Sequence, residues 1–357
     1  MSNIKNIIRK NIKNLIPYQS ARKINNSGKI FLNANEIPIN KSIDIYHKNL
    51  NRYPNPQPND IIKKYSEYSN INTSSILVTR GADEGIELLI KIFCNPYVDQ
   101  IMTFPPTYPM YGINADILGI KNVIIPFLKN WKLDIKKIML NAKNTKIIYL
   151  CRPNNPTGHL INKKDIIYLL KKFIHTGIIV IDEAYIEFCI EESLAYLIDS
   201  YPNLVILRTL SKAFGLAGIR CGFILANIDI ITFLQKSITP YPIPTPVIDI
   251  VNFFLTIPQI QKMNFLVQEL NQRCIWLSNE LKKNTLVKYV FPTKGNYLLV
   301  EFFFIKKVFN FLSKKGIIIR AQTDKIRLEN CIRISIGSKN DCLKLLQELH
   351  VIRSLIL

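Results

Sequence analysis

Short, almost wholly apolar runs alternate with helix-length segments along much of this chain, and this alternation constrains the fold most. Runs of this kind, bounded by turn residues, are typical of parallel strands that are buried on both faces. The runs occupy residues 76–79, 100–104, 146–151, 177–181 and 204–209. The sequence therefore predicts an α/β fold built on a buried parallel sheet.

Polar or small residues follow each of these runs directly. Arg-Gly-Ala-Asp-Glu-Gly follows the first run, Arg-Pro-Asn-Asn-Pro-Thr-Gly the third, and Asp182-Glu-Ala-Tyr185 the fourth. In open α/β sheets the ligand crevice lies outside the carboxyl ends of the strands. We therefore expect these segments to meet at one ligand site.

The segment after the last run places a single lysine, Lys212, among hydroxyls and glycines. Thr209 and Ser211 precede it, and Arg220 follows eight positions later. An amine beside hydroxyls and a guanidinium suits an aldehyde that is held covalently and carries a phosphate. A surface lysine in a Gly-rich loop would have the same local sequence, so this segment alone does not decide between the two.

The segment around residue 80 has the pattern of a strand, a turn of small residues and a helix start. The first N–H groups of a helix are free, and the helix dipole places positive charge there, so such a start can bind a phosphate. Gly81 and Ala82 would let a ligand approach the backbone closely. Asp83 could equally serve as a plain helix cap.

Composition excludes several classes of protein. The net charge is +21, but the lysines are scattered among Ile and Asn, which is typical of an AT-rich genome. We therefore expect no nucleic-acid partner. The seven cysteines never form a Cys-x-x-Cys pair and the four histidines are unclustered, which predicts a reducing cytoplasm, no disulfide framework and no metal site. No apolar run reaches the length needed to cross a bilayer, so no membrane association is expected.

The pattern changes after residue 225. A proline-rich link at 239–246 precedes a long helical stretch, predicted over 247–283, and two strand-like runs at 297–302 and 331–335. This order indicates a second, smaller α+β domain. Near the N-terminus, apolar residues recur at helical spacing and predict an arm helix. We predict an N-terminal arm that forms part of the small domain (residues 1–40), a large domain (41–246) and a small domain (247–357).

Seven motifs in order give the chain a family resemblance. They include Pro-Tyr-Gln-Ser-Ala-Arg, Leu-Asn-Ala-Asn-Glu, Arg-Gly-Ala-Asp-Glu-Gly, Pro-Pro-Thr-Tyr, Pro-Asn-Asn-Pro-Thr-Gly, Asp-Glu-Ala-Tyr and Thr-Leu-Ser-Lys-Ala-Phe. Together they resemble the fold-type I pyridoxal-phosphate enzymes, in particular the class I and II aminotransferases and, within these, the histidinol-phosphate aminotransferases. The likeness runs from about residue 14 into the C-terminal domain. Pro109, after Tyr108, and Arg152 depart from the expected pattern.

The resemblance implies the fold and the cofactor site. The fold would have a large domain with a mostly parallel, seven-stranded sheet, and the cofactor would be pyridoxal 5'-phosphate. Lys212 would hold the cofactor and carry a proton, and Asp182 would pair with the ring nitrogen. Tyr185 and Asn155 would contact the ring oxygen, and Tyr108 would stack on the ring. The phosphate would be bound by Ala82, Asp83, Thr209, Ser211, Arg220 and, from a second subunit, Tyr53.

The resemblance also implies the substrates and the assembly. Arg333 and Arg320, with Tyr18 and Asn35, would bind the substrate anions, because a guanidinium suits both carboxylate and phosphate. The reaction would convert imidazole acetol phosphate and glutamate to histidinol phosphate and 2-oxoglutarate in histidine biosynthesis. Because Tyr53 would reach the neighbouring site, the enzyme would be a homodimer, and the cysteine pattern predicts that it is cytoplasmic.

Three alternatives remain from the sequence. An aromatic amino acid aminotransferase would share the cofactor motifs, and a phosphothreonine decarboxylase-like enzyme would share the fold. A basic nucleic-acid-binding protein could keep the fold without turnover, although the intact lysine, aspartate and arginine set argues against it.

Overall fold

The computed structural model describes residues 7–13, 15, 20, 28–43 and 50–356. Its strands, in chain order, are β1 (Ile30–Phe31), β2 (Ile76–Thr79), β3 (Gln100–Thr103), β4 (Lys121–Ile124), β5 (Thr145–Cys151), β6 (Ile178–Asp182), β7 (Leu204–Thr209), β8 (Gly222–Ala226), β9 (Val287–Val290), β10 (Tyr297–Phe302), β11 (Ile317–Ile318), β12 (Arg320–Ala321) and β13 (Cys331–Ser335). Its α-helices are α1 (Lys10–Lys13), α2 (Asn59–Ser69), α3 (Ala82–Phe93), α4 (Met110–Leu118), α5 (Ile135–Leu140), α6 (Lys163–Phe173), α7 (Ile228–Gln235), α8 (Thr245–Phe254), α9 (Ile257–Lys282), α10 (Ile305–Lys314) and α11 (Lys339–Ile356).

A seven-stranded sheet forms the centre of the molecule, in the order β2-β8-β7-β6-β5-β3-β4. Every strand pair is parallel except those of β8, which runs antiparallel to both β2 and β7. The side chains of β6 and β7 are buried throughout, which explains why apolar residues fill both strands up to Asp182 and Arg208. The predicted α/β fold with a mostly parallel seven-stranded sheet is confirmed.

Two strands of this sheet were not predicted from the sequence. At the sheet's edge, β4 has the sequence Lys-Asn-Val-Ile and exposes both of its end residues, so it lacks the apolar signal of a central strand. The other, β8, directly follows the lysine segment, and its run of large apolar residues is only three long, from Phe223 to Leu225. Gly222 begins it, and a Cβ there would lie 2.7 Å from the carbonyl carbon of Gly81. A glycine is therefore needed where the two chain segments touch.

A second sheet of four strands, in the order β12-β13-β10-β9, lies in the C-terminal part of the chain. The two predicted strands at 297–302 and 331–335 are confirmed as β10 and β13, which pair antiparallel. The helical stretch predicted over 247–283 consists of two helices, because α8 ends at Phe254 and α9 starts at Ile257. A proline in the first turn of α9 suits a new helix start, since it has no N–H to leave unpaired.

The N-terminal segment packs against both parts of the molecule. The β1 strand pairs in parallel with β11, and Asn11 of α1 donates to two carbonyls at the end of α4. The predicted division into residues 1–40, 41–246 and 247–357 stays a prediction.

Candidate active site

A cavity of about 200 Å³ lies where the central strands end, and the predicted cofactor segments line it together. Its lining residues are Ala34, Ala82, Asp83, Tyr108, Cys151, Asn155, Asp182, Ala184, Tyr185, Thr209, Ser211, Lys212, Arg220 and Arg333. The parallel strands bring these residues together because their carboxyl ends share one edge of the sheet.

One end of the cavity has the donors expected of a phosphate site. The α3 helix begins at Ala82, and its N-cap residue, Gly81, has no side chain to cap the first N–H groups. Opposite them, the Thr209 hydroxyl donates to the Ser211 hydroxyl at 2.9 Å, which also accepts from Arg220 Nη1 at 3.3 Å. These groups could bind a dianion without rearrangement of the backbone.

Gly81 makes this end of the cavity possible. Its φ is +81°, a conformation that side chains rarely adopt. A Cβ at this position would also lie 2.8 Å from Arg220 Nη2. A side chain there would therefore push the guanidinium out of the anion site.

Lys212 lies half-buried in the middle of the cavity. Its Nζ donates to the Ala34 carbonyl at 3.0 Å and lies 5.5 Å from the centre of the Tyr185 ring. Burial, with a further contribution from the nearby charge of Arg333, lowers the pKa of Lys212 to about 8. An amine of this kind is partly neutral near physiological pH, as a nucleophile or proton carrier must be.

The other end of the cavity presents the Asp182 carboxylate. Tyr111 donates its hydroxyl to Asp182 Oδ2 at 2.6 Å, and the Ala184 N–H donates to Oδ1 at 3.0 Å. Burial raises the pKa of the Asp182 carboxyl to about 6, although both hydrogen bonds oppose the rise. A cationic partner would stabilise the ionised form of this buried carboxylate, and a protonated ring nitrogen would be such a partner.

A network of amide and phenol groups joins this end to the second sheet. The Tyr185 hydroxyl accepts from Asn35 at 3.0 Å and from Asn155 at 3.3 Å. Arg333 donates to Asn155 Oδ1 at 2.7 Å and to the Asn33 carbonyl at 2.6 Å. The network therefore places a guanidinium beside the groups predicted to contact the cofactor's ring oxygen.

Arg333 is suited to bind an anion. It is 9 % exposed on β13 and lies directly opposite Arg320 of β12. Like charges opposite one another on a strand pair are unfavourable unless an anion offsets them. Among the described residues, no hydrogen-bond partner reaches the buried Nε of Arg333.

Several predicted site residues lie apart from the cavity wall. Asn35 is fully buried behind Tyr185, with its Oδ1 accepting from Ser335, and Arg320 is half-buried beside Arg333. Tyr53 is 81 % exposed and stacks on Tyr241 with ring centres 4.5 Å apart. Tyr18 lies outside the described residues.

Buried groups that the sequence analysis did not assign support the site from behind. Arg208 donates to Glu183 Oε2 at 2.8 Å and lies 3.4 Å from Glu187 Oε1. Asn154 accepts from Thr107 and donates to Thr157, which fixes the loop that carries Asn155. The sequence signal for Arg208 is an arginine that directly follows the apolar run of a buried strand, since such a residue must pair when buried.

The two departures from the family pattern have local structural roles. Arg152 is buried and forms an ion pair with Glu192 at 2.7 Å. Pro109 is the N-cap residue of α4, and the Tyr108 hydroxyl donates to Asp83 Oδ1 at 2.8 Å. Neither residue removes a group from the cavity.

Two features are absent from the part of the chain that the structure describes: a cluster of metal ligands and a membrane-spanning helix. No three His, Cys, Asp or Glu side chains there lie close enough together to hold a metal ion. None of the helices described is both long and apolar enough to cross a membrane.

Comparisons with known proteins identify the family of the chain. The family model "Aminotransferase class I and II" matches residues 32–349. The chain is 52 % identical over 355 residues to the histidinol-phosphate aminotransferase of Buchnera aphidicola subsp. Melaphis rhois, which covers 99 % of both chains. It is 50 % identical over 340 residues to that of Blochmanniella floridana, covering 95 % of this chain and 96 % of the relative.

Solved structures share the fold over most of its length. The crystal structure of the histidinol-phosphate aminotransferase from Clostridium acetobutylicum has a TM-score of 0.84 and 27 % identity, and covers 92 % of this chain and 100 % of that one. The enzyme from Sinorhizobium meliloti, solved in complex with pyridoxal-5'-phosphate, has a TM-score of 0.83 at 19 % identity and covers 98 % of both. The chain belongs to the class I and II aminotransferase family.

Proposed function

We propose that this chain is a pyridoxal-phosphate-dependent histidinol-phosphate aminotransferase. It would transfer an amino group from glutamate to imidazole acetol phosphate, giving histidinol phosphate and 2-oxoglutarate in histidine biosynthesis. One observation carries the proposal. One cavity is lined by Lys212, Asp182, Arg220 and Arg333. The chain that forms it is 52 % identical, over 99 % of its length, to a relative of that name.

The donor set of the cavity fits pyridoxal phosphate from end to end. The free N–H groups of Ala82 and Asp83, with Thr209, Ser211 and Arg220, match a phosphate. At the opposite end, the buried Asp182 matches a protonated ring nitrogen. When bound, the cofactor supplies an aldehyde that accepts the amino group and a ring that takes up electron density from the substrate carbon.

The chain's own residues would handle protons and orientation. The Lys212 amine, with its pKa lowered to about 8, can hold a proton at Nζ beside the substrate and release it again. Tyr185 and Asn155 would orient the ring through its oxygen, and Tyr108 would cover one face of the ring. Arg333, with Arg320 behind it, would bind the substrate phosphate or carboxylate in a planar fork.

We also propose a cytoplasmic homodimer in which Tyr53 completes the phosphate site of the neighbouring subunit. Two features of the chain support this assembly. Tyr53 is largely exposed although it is aromatic, and its ring is held flat against Tyr241. A large exposed aromatic pair of this kind suits a contact with a second chain.

Half-reactions on the purified holoenzyme test the proposed substrates. Histidinol phosphate, glutamate and phenylalanine are added separately, and the loss of the bound cofactor's visible absorbance is followed. We expect rapid conversion by histidinol phosphate and glutamate and slow conversion by phenylalanine. A preference for phenylalanine would move the enzyme to aromatic amino acids while keeping the cofactor, and absence of any bound cofactor would refute the proposal.

A further inference from the structure

Tyr111 makes a short hydrogen bond to the carboxylate that faces the ring nitrogen in the proposed site. Its hydroxyl donates to Asp182 Oδ2 at 2.6 Å, and the two side chains are 0 % and 3 % exposed. Tyr111 does not line the cavity, so it would touch neither substrate nor cofactor. Any effect it has on the reaction must therefore pass through the residues it contacts, among which Asp182 accepts its hydrogen bond.

The hydrogen bond from Tyr111 completes the coordination of the carboxylate by the protein. The Ala184 N–H donates to the other oxygen, Oδ1, at 3.0 Å. With one donor on each oxygen, rotation of the carboxylate about its last bond would break both contacts. Donors to an ionised carboxylate also favour its charged form, in opposition to burial.

Two neighbours fix the ring of Tyr111. On one side it stacks on Tyr149, with centres 4.8 Å apart and planes 5° apart, and the Tyr149 hydroxyl donates to the Ile86 carbonyl at 3.0 Å. On the other side it meets the edge of Tyr108, with centres 5.7 Å apart. The Tyr108 hydroxyl is in turn held by Asp83 at the phosphate end. The Tyr111 hydroxyl is thus a placed donor and has little freedom to turn away.

We propose that Tyr111 is a positioning residue that keeps the Asp182 carboxylate ionised and aimed at the ring nitrogen of the cofactor. The inference rests on the proposed function, because it requires a protonated ring nitrogen as the partner of Asp182. Without the Tyr111 hydroxyl, the carboxylate would lose the donor that most strongly offsets its burial, and the pKa of Asp182 would rise.

Other titratable groups around Asp182 do not replace this effect. They are Asp83, Tyr149, Cys151, Tyr185, Tyr297 and Lys212. Burial raises the pKa of the Cys151 thiol and of the phenols of Tyr149, Tyr185 and Tyr297, so these groups stay neutral. The charges of Asp83 and Lys212 act on Asp182 in opposite directions.

The test compares Tyr111→Phe with Tyr149→Phe. Each variant loses one buried hydroxyl from the same stacked ring pair, but only the first loses a donor to Asp182. The dissociation constant of pyridoxal phosphate is measured from about pH 5.5 to 8.5 for the full-length wild type and both variants. Far-ultraviolet circular dichroism checks that the variants fold.

A pH-dependent difference is expected, and its sign follows from the ionisation of Asp182. The cofactor binds the ionised carboxylate, so affinity falls as pH falls through the pKa of Asp182, which is about 6 in the wild type. In Tyr111→Phe this fall begins at higher pH. We take the Tyr111 hydroxyl to change the proton affinity of Asp182 about tenfold. The variant should then bind the cofactor roughly five- to tenfold more weakly than the wild type near pH 6, and nearly as tightly near pH 8.5.

Three results would overturn the inference: no loss of affinity, an equal loss at every pH, or the same pH-dependent loss in Tyr149→Phe. Each of these leaves the proposed function standing, because the wild type still binds the cofactor. If the wild type bound no pyridoxal phosphate, the proposed function itself would fail.

Discussion

The two halves of the proposed site are built in different ways. The proposed cofactor half consists of Ala82, Asp83, Asp182, Thr209, Ser211, Lys212 and Arg220. Most of these lie at or just after the end of a strand of one sheet or at a helix start beside it, and Arg220 lies just before the antiparallel β8. The proposed substrate half includes Asn35, Arg320 and Arg333, and the Asn33 carbonyl accepts a hydrogen bond from Arg333. Its residues come from the N-terminal segment and the second sheet, which are far apart in the sequence. Arg333, for example, donates to the carbonyl of Asn33, 300 residues away.

We expect this difference to separate the residues that carry out the chemistry from those that select the substrate. Because the cofactor half sits on a buried sheet, its geometry is set by strand pairing, and the same arrangement can serve many amino-group transfers. The substrate half depends on how the second sheet and the N-terminal segment pack against the first. Changes in the first half should therefore abolish turnover, and changes in the second should alter which anion is accepted.

The largest effect is expected from Lys212→Ala in the cofactor half. The variant loses both the covalent link and the proton carrier, so turnover should fall at least about 10⁴-fold. Steady-state assays with histidinol phosphate measure it, and Lys236→Ala, at an exposed lysine outside the cavity, is the control. Transamination near the wild-type rate in Lys212→Ala would contradict the assignment.

A stability effect should follow from Arg208→Met behind the cofactor half. The change leaves Glu183 and Glu187 buried without their cation. Breaking a buried ion pair in this way costs about 3–5 kcal/mol, which urea unfolding would measure. Replacing both glutamates by glutamine in the same variant should recover part of the loss. An unchanged unfolding free energy would show that the ion cluster does not support the site.

A smaller effect is expected from Tyr53→Phe, which keeps the stack on Tyr241 but removes the hydroxyl. If Tyr53 reaches the phosphate of a second subunit, cofactor affinity should fall about tenfold. Hybrid dimers with Lys212→Ala subunits provide the control. One of their two sites combines the intact Lys212 with an intact Tyr53, so half of the sites should regain wild-type affinity. No recovery in the hybrids would place Tyr53 outside the neighbouring site.

The smallest expected effect links the two halves through charge. The neutral Lys212 amine reacts with the cofactor aldehyde, so the reconstitution rate of the apoenzyme should rise with pH through a midpoint near 8. Arg333 lowers the pKa of Lys212, so Arg333→Ala should move this midpoint to higher pH. Stopped-flow absorbance measures the rate, and an unchanged midpoint would show that the two groups are not coupled.

The cofactor half was largely predictable from the sequence because its signals are local. An apolar strand followed by a small-residue turn and a helix start identifies Gly81 and Ala82, and a lysine among hydroxyls identifies Lys212. Parallel strands then bring these segments to one edge without further information. The edge strand β4 was not predicted, because its end residues face solvent and its sequence contains no apolar run.

The contacts of the substrate half could not be read from local pattern. That Asn35 donates to Tyr185 and accepts from Ser335 depends on packing between segments 150 and 300 residues apart. Tyr111 was visible only as one of several aromatic residues near a proline-rich loop, and nothing in its neighbours specifies a bond to Asp182. Periodicity likewise could not separate α8 from α9, because the break at Leu255 and Thr256 is short.

The variant Arg333→Ala tests whether cofactor binding and substrate selection depend on separate residues. Two quantities are compared with the wild type: the dissociation constant of pyridoxal phosphate, and kcat/KM for histidinol phosphate relative to histidinol, which lacks the phosphate. We expect cofactor affinity to stay within about threefold and the preference for the phosphorylated substrate to fall about 10²–10³-fold, the cost of removing one partner of a buried charge pair. An unchanged preference, or loss of the cofactor with the preference intact, would contradict the account.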